Sequence, residues 1–192
     1  MPRLILASTS RYRRELLERL RLPFDVAKPD VDETALPGEA PRGLATRLAQ
    51  AKAAAIARSL DGDSWALGSD QVAEVEGRAL GKPGGRVAAI AQLESMSGRV
   101  VRFHTALCLV HADGRMYAGI DLTEVHVRAL DDAEIQRYVD AEQPFDCAGS
   151  FKSEGLGIAL FERIDNRDPT ALVGLPLVAT CGLLRRAGFA LP

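Results

Sequence analysis

Several signals that mark common functional classes are missing from this sequence of 192 residues. Cysteine occurs three times, at Cys108, Cys147 and Cys181, and no Cys-x-x-Cys pair is present. The sequence therefore supports neither a disulfide framework nor a zinc site. The three histidines lie on predicted strands without the spacing of metal ligands. No Gly-x-x-x-x-Gly-Lys-Ser/Thr motif and no serine in a nucleophile elbow occur, which excludes P-loop enzymes and argues against a serine hydrolase.

The chain also lacks a surplus of charge and a long apolar run. Its 24 basic and 26 acidic residues leave a net charge of −2, which argues against a nucleic-acid polymer as partner but permits a local basic pocket. No run of 18 apolar residues and no signal-peptide core is found, so we expect a cytoplasmic protein without a membrane partner. An apolar fraction of 47% supplies a full core, and the length fits one domain over residues 1–192.

The order of predicted elements is mixed, which favours an α/β domain with a mixed central sheet and flanking helices. Leu4–Ala7 reads as a buried strand, and Thr9 or Ser10 can cap the helix that follows it. The other principal predictions are a helix from Pro41 to about Leu60, a strand over 65–68 that stops at Ser69, a hairpin of 72–75 with 79–80, a helix closing near Gly98, a long hairpin of 100–111 with 117–128, a capping box at Asp131 and Glu134, a strand over 157–161, a polar connection over 164–169, and a last helix over 176–186.

Three arginines crowd the first turn of the first helix: Arg11, Arg13 and Arg14. Cations at this end oppose the helix macrodipole, and a bound anion would reverse that effect. Hydroxyls, free backbone N–H groups and guanidinium groups at one helix start form a phosphate site. The alternative is three solvated arginines on a surface helix.

Asp70 is the strongest single candidate for a catalytic or metal-binding residue. It follows the apolar run 65–68, and ligands of α/β sheets bind in the crevice beyond the carboxyl ends of strands. A carboxylate at that place binds a metal or activates water. The alternative is a turn aspartate that accepts hydrogen bonds from its own backbone.

Three further charged residues become candidates beside Asp70. Glu33 is a second loop carboxylate, and two carboxylates in one cleft would hold Mg²⁺ or Mn²⁺ while water and phosphate fill the other positions. Lys52 lies on the alanine-rich helix, and Lys82 follows a glycine that lets a ligand approach the backbone. The two lysines, together with Arg13, would neutralise the charge of a triphosphate. By default, however, each lysine is a solvated surface residue.

These segments together resemble the Maf family of nucleotide pyrophosphatases. They follow the family's order along almost the whole chain, and they are Leu6–Ser10 with Arg13 and Arg14, Val31–Thr34, Arg47–Ala53, Gly68–Gln71, Gly81–Pro83, Ala148–Gly155 and Val173–Pro176. The resemblance implies one α/β domain with a central cleft, usually as a homodimer. It also implies metal-dependent hydrolysis of a nucleoside triphosphate to the monophosphate and pyrophosphate, with Mg²⁺ or Mn²⁺ as cofactor and a small-molecule nucleotide as substrate.

By position, the resemblance makes Asp70 the proton acceptor, a metal ligand, or both. It places the remaining members of the phosphate and metal site at Ser8, Arg13, Glu33, Lys52 and Lys82. One departure is Arg11, where the family usually has proline. Two other functions stay open: a nucleotide-binding regulator of septum formation and cell division with little turnover, and a pyrophosphatase acting on dTTP or UTP.

Three residues resemble the 7-methyl-GTP pyrophosphatase group of that family: an aromatic at Tyr12, Gln71 and Glu154. Methylation at N7 gives guanine a positive charge, which an aromatic ring face attracts. A glutamate carboxylate accepts hydrogen bonds from the two adjacent donors of guanine, N1–H and the exocyclic amine. The alternative is that Tyr12 packs against its helix and that Glu154 is a solvated loop acid.

Overall fold

The computed structural model describes residues 2–192. Its strands are β1 (Arg3–Ala7), β2 (Asp25–Ala27), β3 (Ser64–Val75), β4 (Arg78–Leu80), β5 (Val100–His111), β6 (Met116–Val127) and β7 (Phe161–Asp165). Its helices are α1 (Arg11–Glu18), α2 (Pro41–Ala57), α3 (Arg86–Met96), α4 (Asp132–Glu142) and α5 (Leu177–Arg186), with short 3₁₀ turns at Ala148–Ser150, Leu156–Leu160 and Ala171–Val173.

One mixed sheet joins all seven strands in the order β2-β1-β3-β5-β6-β7, with β4 paired to β3 outside this path. The pairs that involve β1 are parallel, and the others are antiparallel. This confirms the prediction of an α/β fold with a mixed central sheet.

Strand β3 has two partners on the same edge, with a gap between them. Its pairing with β1 ends at Leu67, and its pairing with β4 begins at Ala73. Within residues 2–192, residues 68–72 are therefore paired on one side only, with β5. This gap in the middle of the sheet is the floor of the cleft described below.

Helix α2 lies directly on β3, at Gly68. A Cβ atom at this glycine would lie 2.3 Å from the carbonyl oxygen of Ala49 and 2.6 Å from the nitrogen of Ala53. Ala45, Ala49 and Ala53 are buried on the same helix face, so small residues on both sides allow the close approach. Two other apolar clusters complete the core, one under α1 and α5 and one between α3, α4 and the far end of β5 and β6.

Several local predictions are confirmed. The side chain of Ser10 caps α1, Asp131 and Glu134 form a capping box, and the hairpin turns fall where glycine follows an acidic residue. No helix within residues 2–192 is long and apolar enough to cross a membrane.

Two predicted strands are wrong in extent. β3 does not stop at Ser69 but continues to Val75, so Asp70 lies in the middle of a strand and not beyond its end. Polar residues are tolerated there because they line the cleft or bond the backbone of a neighbouring segment. The predicted strand over 157–161 is mostly a 3₁₀ turn, since Gly157 packs against the backbone of Lys152. The strand of this region, β7, begins later and includes the first residues of the predicted polar connection.

Candidate active site

All nine predicted site residues line one cleft of about 780 Å³ that opens along the gap in β3. They are Ser8, Tyr12, Arg13, Glu33, Lys52, Asp70, Gln71, Lys82 and Glu154. They come from α1, α2, β3 and four loops, so only the tertiary structure brings them together. Their individual roles remain predictions.

A buried lysine joins the two candidate carboxylates. The Nζ atom of Lys52 lies 2.7 Å from Oδ1 of Asp70 and 2.7 Å from Oε1 of Glu33. Lys52 and Asp70 are 6% and 7% exposed, whereas the side chain of Glu33 is 61% exposed. A buried ammonium group requires such partners, because an unpaired buried charge is strongly destabilising.

The charge around Glu33 determines its ionisation. Burial raises the pKa of Glu33, but its hydrogen bond and attraction to Lys52, with the charges of Lys82 and Arg13, lower it by more. The net pKa lies below the ordinary value of a glutamate, so this side chain is an anion at neutral pH.

A second ion pair holds the loop that carries Glu33. Arg47, on α2, contacts both carboxylate oxygens of Glu39 at 2.7 and 2.8 Å and donates to the carbonyl oxygen of Thr34 at 3.0 Å. This interaction ties the 33–39 loop to the helix that carries Lys52. Arg47 thus contacts the residue next to Glu33, and it belongs to one of the family-like segments but had no predicted role.

Of the three arginines at the start of α1, only Arg13 approaches the carboxylates. Its Nε donates to the carbonyl oxygen of Gly174 at 3.0 Å, and its Nη1 lies 3.5 Å from Oγ of Ser8. Burial lowers the pKa of Arg13, and the nearby carboxylates of Asp70 and Glu33 oppose that shift. Arg14 pairs instead with Glu18 on the outer face of α1.

The donor set is compatible with a hard divalent cation. Asp70 and Glu33 share Lys52, and no hydrogen bond to Oδ2 of Asp70 is formed by residues 2–192. No group of three or more His, Cys, Asp and Glu side chains suited to a metal is found in that range. Mg²⁺ in phosphate-processing sites is commonly bound by one or two carboxylates together with water and substrate phosphates, and Asp70 and Glu33 are two carboxylates on one cleft.

The other end of the cleft is aromatic and acidic. Tyr12 lies there together with Asp146, Cys147 and Glu154. Burial and the neighbouring Asp146 carboxylate raise the pKa of Cys147 to about 12, so its thiol stays protonated and is a poor nucleophile. Burial also raises the pKa of Tyr12. Cations outnumber carboxylates at the first end, where Arg13, Lys52 and Lys82 lie with Glu33 and Asp70, and carboxylates outnumber cations at the second.

Gln71 forms hydrogen bonds with the segment that lines one wall of the cleft. Its amide nitrogen lies 3.0 Å from Oγ1 of Thr105 and 3.0 and 3.1 Å from the carbonyl oxygens of Ala171 and Leu172. Because successive strand residues face opposite sides, Asp70 points to α2 while Gln71 points to the 171–174 segment. The amide nitrogen donates its hydrogen bonds to these protein oxygens. The side-chain carbonyl oxygen of Gln71 is therefore the atom left to accept a hydrogen bond from a ligand.

Sequence reasoning missed two features of the site. The carbonyl oxygen of Gly174 orients Arg13 and also accepts from the hydroxyl of Ser69, although only the Gly-Leu-Pro segment around it stood out in the sequence. Asp146 and Cys147 line the acidic end, and they follow Pro144 in a stretch whose only signal was the end of a helix.

The sequence matches a family model and several curated relatives over nearly its whole length. The sequence model of the family described as Maf-like protein matches residues 3–187. The 7-methyl-GTP pyrophosphatases of Xanthomonas oryzae pv. oryzae (strain MAFF 311018) and Xanthomonas campestris pv. campestris (strain 8004) are 63% and 62% identical to this chain over the whole of both sequences. That of Polaromonas sp. (strain JS666 / ATCC BAA-500) is 59% identical over 98% of this chain and 86% of its own.

A solved structure shares the fold at low sequence identity. The Staphylococcus aureus Ham1 protein superposes with a TM-score of 0.56 over 96% of this chain and 98% of its own, at 16% identity. The family match extends over nearly the whole chain, and the full-length relatives exceed half identity. The predicted resemblance is thereby confirmed, and this chain belongs to the Maf family.

Proposed function

We propose that this protein is a metal-dependent nucleoside triphosphate pyrophosphatase with 7-methyl-GTP as its preferred substrate. The observation that carries the proposal is the division of charge along one cleft. Arg13, Lys52 and Lys82 lie at the end that holds the paired carboxylates, and Tyr12 and Glu154 lie at the other. A triphosphate with a cationic base has the complementary distribution of charge. The relatives named 7-methyl-GTP pyrophosphatase support the same substrate.

The cationic end suits the hydrolysis of a phosphoanhydride bond. Water attacks the α-phosphorus, the bond from that atom to the α,β-bridging oxygen breaks, and pyrophosphate leaves with the electron pair. Asp70 accepts the proton of the attacking water, and Arg13, Lys52 and Lys82 stabilise the charge that develops on the phosphates. Ser8 contributes a hydroxyl beside Arg13. Asp70 and Glu33 would hold a divalent cation, which when bound supplies charge neutralisation of the phosphate oxygens.

The acidic end suits the base. The ring of Tyr12 provides a face for a stacked cation, and the carboxylate of Glu154 accepts from the adjacent N–H donors of guanine. Thymine and uracil present a single donor between two carbonyl oxygens, and those oxygens would face the carboxylate unfavourably. This chemistry favours guanine over pyrimidines and N7-methylguanine over guanine.

The proposal is tested by pyrophosphate release across a panel of nucleotides. We expect kcat/KM to fall in the order 7-methyl-GTP, GTP, then UTP and dTTP. If UTP or dTTP is hydrolysed as well as 7-methyl-GTP, the substrate assignment is wrong although the pyrophosphatase assignment stands. If nucleotides bind without measurable turnover, the alternative of a binding regulator of cell division is favoured.

Metal dependence is tested separately. Activity should be lost in EDTA and restored by Mg²⁺ or Mn²⁺, because carboxylate and phosphate oxygens are hard ligands. Full turnover in chelator would remove the metal from the proposal.

The proposal also includes a homodimer, carried over from the family, and a cytoplasmic location, expected from the sequence. Sedimentation equilibrium at micromolar concentration tests the oligomeric state, and cell fractionation tests the location. A monomeric enzyme would leave the chemistry above unchanged, since every residue it uses belongs to one chain.

A further inference from the structure

The ring of Tyr12, on which the proposed function stacks the base, is already in contact with the guanidinium group of Arg11. The guanidinium carbon of Arg11 lies 4.7 Å from the centroid of the Tyr12 ring. One of its nitrogens donates to the Tyr12 hydroxyl at 2.9 Å. Both residues line the cleft, and they occupy the first two positions of α1.

The groups around this pair are acidic. The hydrogen bond to Tyr12, with the charges of Asp146 and Glu15, raises the pKa of Arg11, so the guanidinium is fully protonated. Asp146 acts on Tyr12 as well, and Glu154 lies near Cys147 on the same side of the cleft. Arg11 is thus a cation set among the carboxylates that would otherwise face a positively charged base.

We propose that Arg11 is a specificity-determining residue that competes with a cationic base for the ring of Tyr12. The inference rests on the proposed function. If the base stacks on the face that Arg11 covers, the guanidinium must first leave it. If the base stacks on the opposite face, two cations share one ring and repel each other across it. The cost of displacement is the same for both bases, but the repulsion between the guanidinium and a cationic base acts in either arrangement and penalises only N7-methylguanine.

The test compares two substrates in variants of the full-length chain. Arg11→Ala and the longer neutral Arg11→Gln should each raise the ratio of kcat/KM for 7-methyl-GTP to that for GTP, by about two- to fivefold, the range of a partly exposed cation–π contact. The matched control is Arg14→Ala, which removes an exposed arginine from the same helical turn. Arg14 pairs with Glu18 outside the cleft, so this variant should leave the ratio unchanged.

A double-mutant cycle tests whether the effect of Arg11 requires the ring of Tyr12. In a Tyr12→Ala background, which should itself raise KM for 7-methyl-GTP, Arg11→Ala should no longer change the ratio. Three results would overturn the inference: an unchanged or lower ratio in Arg11→Ala, a ratio change that persists without the ring, or an equal rise of KM for both substrates. The last result would show that Arg11 contacts the phosphates.

A binding measurement keeps this inference separate from the proposed function. If the wild-type chain turns over neither 7-methyl-GTP nor GTP, the proposed function fails. Calorimetric titration with the monophosphates of 7-methylguanosine and guanosine still decides the role of Arg11. Arg11→Ala should then favour the methylated ligand relative to the unmethylated one, and equal affinities before and after the substitution would refute the competition.

Discussion

The two ends of the cleft differ in how their main acidic and basic side chains are held. At the cationic end, Lys52 and Asp70 lie on a helix and a central strand, are almost fully buried, and bond each other. At the acidic end, Asp146 and Glu154 lie on exposed loops. Groups held by regular structure and by fixed partners are preorganised for chemistry, whereas loops tolerate change and adapt to the ligand. The difference predicts that substitutions at the first end abolish turnover and that substitutions at the second end change substrate preference.

The largest effect is expected for Asp70→Asn. The amide keeps the shape of the side chain but cannot accept a proton from water, so kcat should fall by at least about 10²-fold while substrate binding survives. Pyrophosphate release under single-turnover conditions measures this. Glu76→Gln, which neutralises an exposed carboxylate just past the end of the same strand, is the control. Wild-type turnover in Asp70→Asn would remove the residue from the role of base.

Gly68→Ala tests whether the cationic end depends on the packing of α2. The new methyl group would meet the backbone of Ala49 and Ala53, so the helix that carries Lys52 must move. We expect a loss of about 1–3 kcal/mol in the free energy of unfolding, with reduced kcat. Denaturant unfolding measures the loss. Gly182→Ala in α5, where a Cβ meets nothing within 4 Å, should instead add about 0.5–1 kcal/mol. Equal stability of Gly68→Ala and the wild type would contradict the packing argument.

Glu154→Gln tests the acidic end. The amide presents N–H groups to the N–H donors of guanine, so the preference for 7-methyl-GTP over UTP should fall by about tenfold, with kcat for UTP little changed. Glu162→Gln, at an exposed carboxylate outside the cleft, controls for general charge. A tenfold loss of kcat for every nucleotide would show that Glu154 belongs to the chemistry and not to base recognition.

The smallest effect concerns Asp121, away from both ends. Burial, with the charge of Asp168, raises the pKa of Asp121, and its buried Oδ1 has no hydrogen-bond partner among residues 2–192. A carboxyl whose pKa is higher in the folded state stabilises the fold below its unfolded pKa, and that contribution is lost as the pH rises through the folded pKa. Because asparagine carries no charge, Asp121→Asn should therefore raise the free energy of unfolding above that of the wild type at pH 7, and by less at pH 4. Denaturant unfolding at both pH values, with Asp61→Asn as control, measures this. An identical gain at the two pH values would contradict it.

Much of the fold follows from local patterns. The apolar run of β1, the cap at Ser10, the capping box at Asp131 and the hairpin glycines are local signals whose structural outcome depends on a few neighbouring residues. The extent of β3 was not predictable in this way. Ser69, Asp70 and Gln71 break the apolar pattern, and the partners that keep them in a strand are distant in sequence.

The sequence by itself determined the family, the fold class and the identity of the nine candidate residues, because these depend on ordered motifs and on hydrophobic periodicity. Only the tertiary structure decided that Lys52 stands between Glu33 and Asp70, that Gln71 turns its amide nitrogen to the wall, and that Arg11 covers Tyr12. Each of these depends on which way a side chain turns in a crowded space. That choice is made by packing and by the pairing of buried polar groups, which act between segments far apart in the chain.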